Sequence, residues 1–287
     1  MYQWTKQIDP SQRETWEQKL EMDSFPGLYL EEDLASGNLR VAAICSCPEE
    51  ADNLVRRFGG DSAPLEDRDW VAMASATWKG RWLEIGGRYL VALDDDSSFV
   101  AELRSRFPGR DLLVFPPELA FGTGDHETTA ACLEEVEVFA GERGGGEWSL
   151  LDLGTGTGIL AIAGFKAGAA RIVATEVDAT ALKVAEGNLA RNGVPEGGVE
   201  LRLEDVLQWK PGERFDLICA NLYAGLLLRV VPVLPEALRP GGCVLLSGML
   251  QEQAAEVEEA LRTVGLEVSR KAIRGKWATL AACQRKP

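Results

Sequence analysis

The segment DLGTGTGI at residues 152–159 is the part of the sequence best suited to bind a ligand. Gly154, Gly156 and Gly158 follow a predicted strand and precede a predicted helix. Glycines let the backbone turn tightly and approach a ligand closely, and the free N–H groups at a helix start favour a carboxylate or a phosphate. Ile159 stands where the dinucleotide fingerprint G-x-G-x-x-G has its last glycine, which weakens a nicotinamide-cofactor interpretation.

Acidic residues follow the next two predicted strands. Glu176 lies 22 residues after Gly154, where a carboxylate can accept hydrogen bonds from both hydroxyls of a ribose. Asp205 follows the third strand and can either accept from an adenine amino group or cap a helix, whereas Asp178 suits a helix cap. The pattern predicts a nucleoside bound at the carboxyl edge of a parallel sheet.

Two further segments carry polar groups that suit a transfer reaction. Asn221 ends the fourth predicted strand, and its carbonyl oxygen can orient an incoming amine, although a turn-forming asparagine is the alternative. The segment FGTGDHETTAA at residues 121–131 joins a glycine-containing loop to a helix that begins near Glu127. The hydroxyls of Thr128 and Thr129 at that helix start can bind a carboxylate. Taken alone, a capped helix is the simpler interpretation of this segment.

The pattern of apolar residues predicts the elements that position these groups. From Trp148 onward, strands and helices alternate at the spacing of a parallel sheet with crossover helices. The predicted strands are WSLLDL, RIVATEV, VELRLED, FDLICAN and GCVLLSG, and the predicted helices cover residues 159–167, 179–192, 224–238 and 251–264. The tail predicts two strands around a turn at 274–276. The fold class is therefore α/β, a Rossmann-like sheet that ends in a C-terminal antiparallel hairpin.

Residues 1–62 predict a separate small domain. Strand and helix signals follow the order β-α-β-β-α, and a last strand is expected near residues 63–65. Ser11, with Glu14 three residues later, predicts a capping box for a helix that continues to about residue 22. This order is typical of an α+β, ferredoxin-like (split-βαβ) domain. It is also the most acidic part of the chain, with 12 acidic and 6 basic residues.

Residues 63–110 predict a bridge between this domain and a larger domain at 111–287. The bridge includes a short apolar helix at 70–77 and a hairpin around Gly86 and Gly87. Three consecutive aspartates at 94–96 predict a solvated turn, and we assign them no metal.

Composition excludes several classes of function. The 287 residues include 30 basic and 45 acidic side chains, and the net charge of −15 opposes binding to nucleic-acid phosphates and suits a cationic partner. His126 is the single histidine, so multi-histidine metal sites are excluded and no metal ligand is assigned. No signal pattern, membrane-length apolar run or C-x-x-C pair occurs, so we expect a cytoplasmic protein with six reduced cysteines.

Four stretches resemble the ribosomal protein L11 methyltransferases of the PrmA type, a branch of the class I S-adenosylmethionine-dependent methyltransferases. The family pattern G-T-G-T-H-P-T-T is similar to residues 122–129, and D-x-G-x-G-x-G-I-L-A-I-A matches residues 152–163. The patterns A-N-I-L-A-G-P-L and P-G-G-x-L-I-L-S-G-I are similar to ANLYAGLL and PGGCVLLSGM. The resemblance covers residues 119–287.

The resemblance implies a class I methyltransferase domain preceded by a substrate-recognition domain. It implies an enzyme, a protein N-methyltransferase that transfers methyl groups from S-adenosylmethionine to lysine side chains and the N-terminal amine of ribosomal protein L11. With the second glycine of the loop included, the implied cofactor-binding residues are Thr129, Gly154, Gly156, Glu176 and Asn221. We hypothesise that Asn221 orients the amine and that His126 or Asp125 lines the entrance, which makes Asn221 and His126 the candidate catalytic residues.

Two departures from the family pattern leave the substrate open. Asp125 and Glu127 place carboxylates where the family has threonine and proline, and they can attract a lysine or indicate a changed substrate. The first alternative is a class I methyltransferase acting on a different protein or on a small amine. A nicotinamide-dependent oxidoreductase and a non-catalytic nucleoside-binding adaptor are the others. We expect a monomer that binds neither nucleic acid nor membrane.

Overall fold

The computed structural model describes residues 2–13, 16, 28–32, 39–45, 47–64, 78–117 and 122–284. The chain divides into two compact units, Met1–Ala74 and Ser75–Pro287. The segment 63–110, predicted as a bridge, therefore contributes elements to both units. Its predicted helix at 70–77 and most of the predicted helix at 11–22 lie outside the described residues. Within the described ranges, no helix is long and apolar enough to cross a membrane.

The first unit contains a four-stranded antiparallel sheet and a helix. The strands are β1 (Tyr2–Ile8), β2 (Leu28–Glu32), β3 (Leu39–Cys45) and β4 (Asp61–Pro64), and helix α1 spans Pro48–Phe58. The sheet order is β2-β3-β1-β4, so β3 lies between β1 and β2. One strand thus lies between two others, which is the strand order of a split-βαβ domain. The buried side chains of Trp4, Val41 and Leu54 form its core.

The first unit begins with a cap that the sequence analysis did not predict, and Glu14 of the predicted capping box lies outside the described residues. Asp9, and not Ser11, caps the turn, because its carboxylate accepts the backbone N–H of Ser11 at 2.9 Å and starts a 3₁₀ turn at Pro10–Gln12. An aspartate directly before a Pro-Ser pair is an effective cap, since proline is favoured at the first position of a helical turn.

The second unit begins with a three-stranded sheet. Its elements are β5 (Trp82–Ile85), β6 (Tyr89–Ala92), α2 (Ser97–Arg106) and β7 (Asp111–Val114). Strands β5 and β6 form the predicted hairpin, and α2 crosses over to β7, which is parallel to β6. The sequence analysis missed α2. Asp96 belongs to its start, because its carboxylate accepts the N–H groups of Ser98 at 3.0 Å and Phe99 at 3.1 Å.

A seven-stranded sheet forms the main part of the second unit. Its strands are β8 (Ser149–Leu153), β9 (Arg171–Glu176), β10 (Glu200–Leu203), β11 (Phe215–Asn221), β12 (Leu238–Leu250), β13 (Leu266–Arg274) and β14 (Trp277–Gln284). The order is β10-β9-β8-β11-β12-β14-β13; the first five strands are parallel, and β14 is antiparallel to both of its neighbours. The predicted parallel sheet and its closing hairpin are confirmed.

Helices cover the seven-stranded sheet. They are α3 (Glu127–Glu142), α4 (Ile159–Lys166), α5 (Ala179–Arg191), α6 (Ala224–Val230) and α7 (Ala254–Thr263). Strands β8 and β11 are buried almost throughout, as expected for strands covered on both faces. The predicted helix at 224–238 is shorter, because Pro232 and Pro235 convert its second half into a 3₁₀ segment at Val231–Ala237.

Two cysteines overturn the prediction that all six are reduced. Cys243 on β12 and Cys283 on β14 lie directly opposite each other, with Cα atoms 4.0 Å apart, and form a disulfide. They are separated by 40 residues in the chain, so no local motif indicated the pair. The other cysteines in the structure are free thiols. Burial raises the pKa of Cys132 to about 12 and holds the pKa of Cys219 well above its usual value, so both thiols are neutral apolar groups.

We expect the disulfide to stabilise the second unit by closing a loop. The chain-entropy model gives up to about 4 kcal/mol for a loop of about 40 residues. Substitution Cys283→Ser should lower the free energy of unfolding by up to that amount in denaturant titrations without reductant. With dithiothreitol present, the variant and the unmodified chain should unfold at the same denaturant concentration. A difference that persists in reductant would show that the effect does not come from the disulfide.

Candidate functional site

The register of three neighbouring strands places the predicted site residues together. Leu153 at the end of β8 pairs with Thr175 of β9 on one side and with Ala220 of β11 on the other. The residues that follow are Gly154, Glu176 and Asn221, so they lie side by side at the carboxyl edge of the sheet. There they border a cavity of about 370 Å³, whose lining residues are Gly154, Gly156, Glu176, Val177, Glu204, Asp205, Val206, Leu207, Asn221, Leu222, Tyr223 and Leu226.

The loop after β8 needs its glycines for two separate reasons. Gly154, Gly156 and Gly158 all have positive φ, at 74°, 55° and 83°, which side chains rarely adopt. A Cβ atom on Gly154 would also lie 2.6 Å from the Leu222 side chain. Helix α4 begins after Gly158 with no side-chain cap. This loop therefore offers its backbone, with no side chain in the way, to the cavity.

The Glu176 carboxylate joins the glycine loop to the loop after β9. Its Oε2 accepts the backbone N–H of Gly156 at 3.0 Å, and its Oε1 accepts those of Val177 at 2.8 Å and Asp178 at 3.1 Å. A carboxylate has about four acceptor positions, so three bonds leave capacity for a ligand hydroxyl. The side chain holds the two loops that form one wall of the cavity. Its predicted contact with a ribose stays a prediction.

The acidic residues after the strands have the positions that the sequence suggested. Asp178 caps α5 by accepting the backbone N–H of Thr180 at 2.7 Å. Asp205 lines the cavity and also accepts the backbone N–H of Leu207 at 2.9 Å. A turn and not a helix follows Asp205, so the helix-cap alternative is wrong, and its contact with an adenine amino group stays a prediction. Together with Glu176 and Glu204, Asp205 gives the lining three carboxylates and no lysine or arginine. Such a lining favours a ligand that is cationic or rich in hydrogen-bond donors.

The helix start at α3 contacts the opposite wall of the site. The Asn221 side-chain nitrogen donates to the Thr128 hydroxyl at 3.2 Å, and that hydroxyl lies 2.7 Å from His126 Nδ1. His126 Nδ1 also caps α3 by accepting the backbone N–H of Thr128 at 3.3 Å. The cap thus engages this ring nitrogen, and the catalytic role predicted for His126 stays a prediction.

Two buried polar atoms beside this contact have no hydrogen-bond partner in the described part of the chain. They are the Asn221 carbonyl oxygen and the Thr129 hydroxyl oxygen. Leaving a buried polar atom unpaired costs about 1–3 kcal/mol, and such atoms in native proteins are commonly explained by a ligand, a water or a catalytic role. Both residues were predicted to bind a cofactor. Thr129 and His126 are not among the residues that line the cavity.

The two carboxylates that depart from the family pattern do not line this cavity. The Asp125 carboxylate accepts the Thr123 hydroxyl within its own loop. The Glu127 carboxylate lies against the β13–β14 turn, where a Cβ atom on Gly275 would approach it to 2.5 Å. Their expected role toward a lysine stays a prediction.

Sequence reasoning missed the apolar rim of the cavity. Val177, Leu207 and Tyr223 line the cavity, and they are 65%, 39% and 65% exposed. Each of them stands one or two residues after a polar residue that the sequence analysis placed at the site. That closeness in the sequence was the signal that could have identified them. Exposed apolar side chains around a cavity mouth are typical of a ligand site.

A buried carboxyl group supports the glycine loop from below. Asp152 is 1% exposed and accepts the Thr155 hydroxyl at 2.6 Å. Desolvation raises the pKa of Asp152 to about 6, an effect that the Thr155 hydrogen bond reduces. At neutral pH the Asp152 carboxylate is therefore charged although its burial disfavours the charged form.

The architecture and the site together define the class. A seven-stranded sheet with an antiparallel last pair, a glycine loop after its first strand and an acid after the second is a class I methyltransferase fold. The family model described as ribosomal protein L11 methyltransferase (PrmA) matches residues 7–285. The chain belongs to this family.

Individual relatives agree with the family match. A protein of Pelotomaculum thermopropionicum named ribosomal protein L11 methyltransferase is 36% identical over 219 residues, 76% of this chain and 66% of the relative. A protein of Thermus thermophilus with the same name is 43% identical over 171 residues, 59% of this chain and 63% of the relative. Both alignments thus span slightly less than two thirds of the relative. The crystal structure of a ribosomal protein L11 methylase from Lactobacillus delbrueckii subsp. bulgaricus is 29% identical, with a TM-score of 0.61, and the match covers 72% of this chain and all of that chain.

The raised pKa of Asp152 predicts a pH-dependent stability. Because the folded pKa of about 6 exceeds the usual unfolded value of about 3.9, the folded state binds this proton more tightly. The resulting stabilisation is complete below pH 4 and is lost as the pH rises through 6. Two pKa units correspond to about 3 kcal/mol. We therefore expect Asp152→Asn to gain up to about that much stability relative to the unmodified chain between pH 4 and pH 7.

Denaturant unfolding at several pH values measures this difference directly. Glu196→Gln on the exposed surface is the matched control and should unfold like the unmodified chain across the same range. A constant stability difference between Asp152→Asn and the unmodified chain would show that Asp152 does not titrate near pH 6.

Proposed function

We propose that this chain is a protein N-methyltransferase that transfers methyl groups from S-adenosylmethionine to lysine side chains and the N-terminal amine of ribosomal protein L11. The observation that carries the proposal is the meeting of Gly154, Glu176 and Asn221 around one cavity in a member of this family. The names of the relatives support the substrate. The unpaired oxygen of Asn221 supports the binding of an N–H donor.

The residues of the cavity suit S-adenosylmethionine. The remaining acceptor capacity of Glu176 would hold the ribose hydroxyls, the Asp205 carboxylate would accept from the adenine amino group, and Val177 and Leu207 would contact the apolar faces of the base. The bare backbone of the glycine loop, at the start of α4, suits the carboxylate of the methionine part. When bound, the cofactor supplies an electrophilic methyl carbon, to which the amine lone pair forms a bond while the carbon–sulfur bond breaks and sulfur keeps that electron pair.

The protein's contribution to this reaction is alignment. An attacking lysine must be neutral, although its usual pKa is about 10.4, so it has to lose a proton to water before it reacts. Desolvation in the site would lower the pKa of that amine. The buried Asn221 oxygen would accept one of the two N–H groups of the neutral amine and so orient its lone pair. Holding two reactants in a reactive geometry can contribute about 7–11 kcal/mol.

The acidic surface supports a basic protein as partner. The net charge of −15 and the cavity lining, which has three carboxylates and no lysine or arginine, complement a cationic substrate and oppose direct contact with nucleic acid. We propose a monomer acting in the cytoplasm, where ribosomal proteins are assembled. The support for this compartment is the substrate class and not the cysteines, because one pair of them is bonded.

A methyl-transfer assay tests the reaction and the substrate together. The full chain is incubated with methyl-labelled S-adenosylmethionine and either purified ribosomal protein L11 or a total ribosomal-protein mixture. We expect label in L11 from both samples, located by mass spectrometry on lysines and the N-terminal amine. Label in another protein of the mixture but not in L11 would show that the substrate is that other protein. Cofactor binding without any transfer would favour the nucleoside-binding adaptor.

The role of Glu176 is tested by cofactor affinity. We expect Glu176→Ala to weaken S-adenosylmethionine binding by about 1.5–3 kcal/mol, because the substitution removes both the ribose acceptor and the contact that orders the Gly156 loop. Isothermal titration calorimetry measures the change. Glu186→Ala, on the exposed face of α5, is the control and should bind like the unmodified chain. Equal affinities for Glu176→Ala and the control would rule out the ribose contact.

A further inference from the structure

The hydrogen bonds at the start of α3 have a defined direction. His126 Nδ1 accepts the backbone N–H of Thr128, so this nitrogen carries no proton. The Thr128 hydroxyl, 2.7 Å from the same nitrogen, must then be the donor to it. Its oxygen is left as an acceptor, and it takes the Asn221 side-chain N–H at 3.2 Å. Asn221 therefore donates to Thr128, and Thr128 in turn donates to His126.

This direction decides which end of the Asn221 amide is presented to a ligand. With its nitrogen committed to Thr128, the carbonyl oxygen must point the other way. That oxygen is buried and has no partner among the described residues. A Cβ atom placed on Gly248, which has a φ of 86°, would lie 3.0 Å from this oxygen. The amide in the opposite orientation would present N–H groups and could not accept from an amine.

We propose that Thr128 is a positioning residue for methyl transfer. Its hydroxyl, fixed by the His126 cap, holds the Asn221 amide in the orientation that offers the carbonyl oxygen to the N–H of the incoming amine. The inference rests on the proposed function and assigns His126 to the same arrangement, as the acceptor that sets the direction of the Thr128 hydroxyl. Thr128 itself does not line the cavity and acts through Asn221.

Two substitutions separate the hydroxyl from the shape of the side chain. Thr128→Val keeps the branched shape and the backbone N–H that donates to the His126 cap, but it loses the hydroxyl. We expect its kcat for transfer to L11 to fall about 10- to 100-fold, while the affinity for S-adenosylmethionine changes less than about threefold. Thr128→Ser keeps the hydroxyl and should stay within about threefold of the unmodified chain. Thr175→Val is the matched control, because its buried hydroxyl has no partner among the described residues.

A double-mutant cycle tests whether Thr128 acts through Asn221. If it does, Thr128→Val should have no further effect on kcat in an Asn221→Ala background. Additive losses would overturn the proposal, because they would show an independent role for Thr128. A Thr128→Val variant as active as the Thr175→Val control would overturn it as well.

Nuclear magnetic resonance gives a readout that does not depend on turnover. The Asn221 side-chain NH₂ should exchange slowly with water in the unmodified chain and in Thr128→Ser, and rapidly in Thr128→Val. Equal exchange in all three overturns the hydrogen bond. If the unmodified chain transfers no methyl group although this NH₂ is protected, the proposed function fails and the hydrogen bond stands. If Thr128→Val transfers methyl groups as fast as the unmodified chain, the proposed function stands and only the role of Thr128 is refuted.

Discussion

The register of β8 between β9 and β11 is the constraint on which the site depends. Pairing of Leu153 with Thr175 and Ala220 sets the ends of three strands at one level, so that a glycine, a glutamate and an asparagine follow at adjacent positions. A slip of one residue would exchange the side chains of a strand between the two apolar clusters that pack on opposite faces of this sheet, and both clusters are closely packed. The same apolar packing that stabilises the sheet therefore also fixes the geometry of the polar groups at its edge.

Much of this arrangement could be predicted from local sequence patterns. The apolar runs of the parallel strands, the Gly154–Gly158 spacing and the positions of Glu176 and Asn221 at strand ends all depend on residues close together in the chain. The parallel topology then brings these polar residues together, because parallel strands have their carboxyl ends at a common edge of the sheet. The turn at 274–276 predicted the closing hairpin for the same reason, since a tight turn between two strands is a local signal.

The features that sequence reasoning missed depend on distant residues or on competition between similar local signals. The contact of Asn221 with Thr128 joins residues 93 positions apart, and the disulfide joins residues 40 positions apart. At Asp96 the signal was local but ambiguous, because three consecutive aspartates suit a solvated turn and a helix cap equally. Asp9 replaced Ser11 as a cap for a similar reason: two good capping residues stand two positions apart, and only the backbone conformation decides between them.

The costly polar groups of the second unit are concentrated near this edge of the sheet. The buried Asp152 charge and the unpaired oxygens of Thr129 and Asn221 each lower stability, and most polar groups elsewhere in the described core are satisfied. A polar group that is already desolvated and oriented needs no reorganisation when a ligand arrives, which makes its interaction stronger than in water. The disulfide between β12 and β14 lies four residues before Ser247, the residue of β12 that pairs with Asn221. Stability gained there and in the buried strands offsets the cost of holding unsatisfied groups ready at the carboxyl edge.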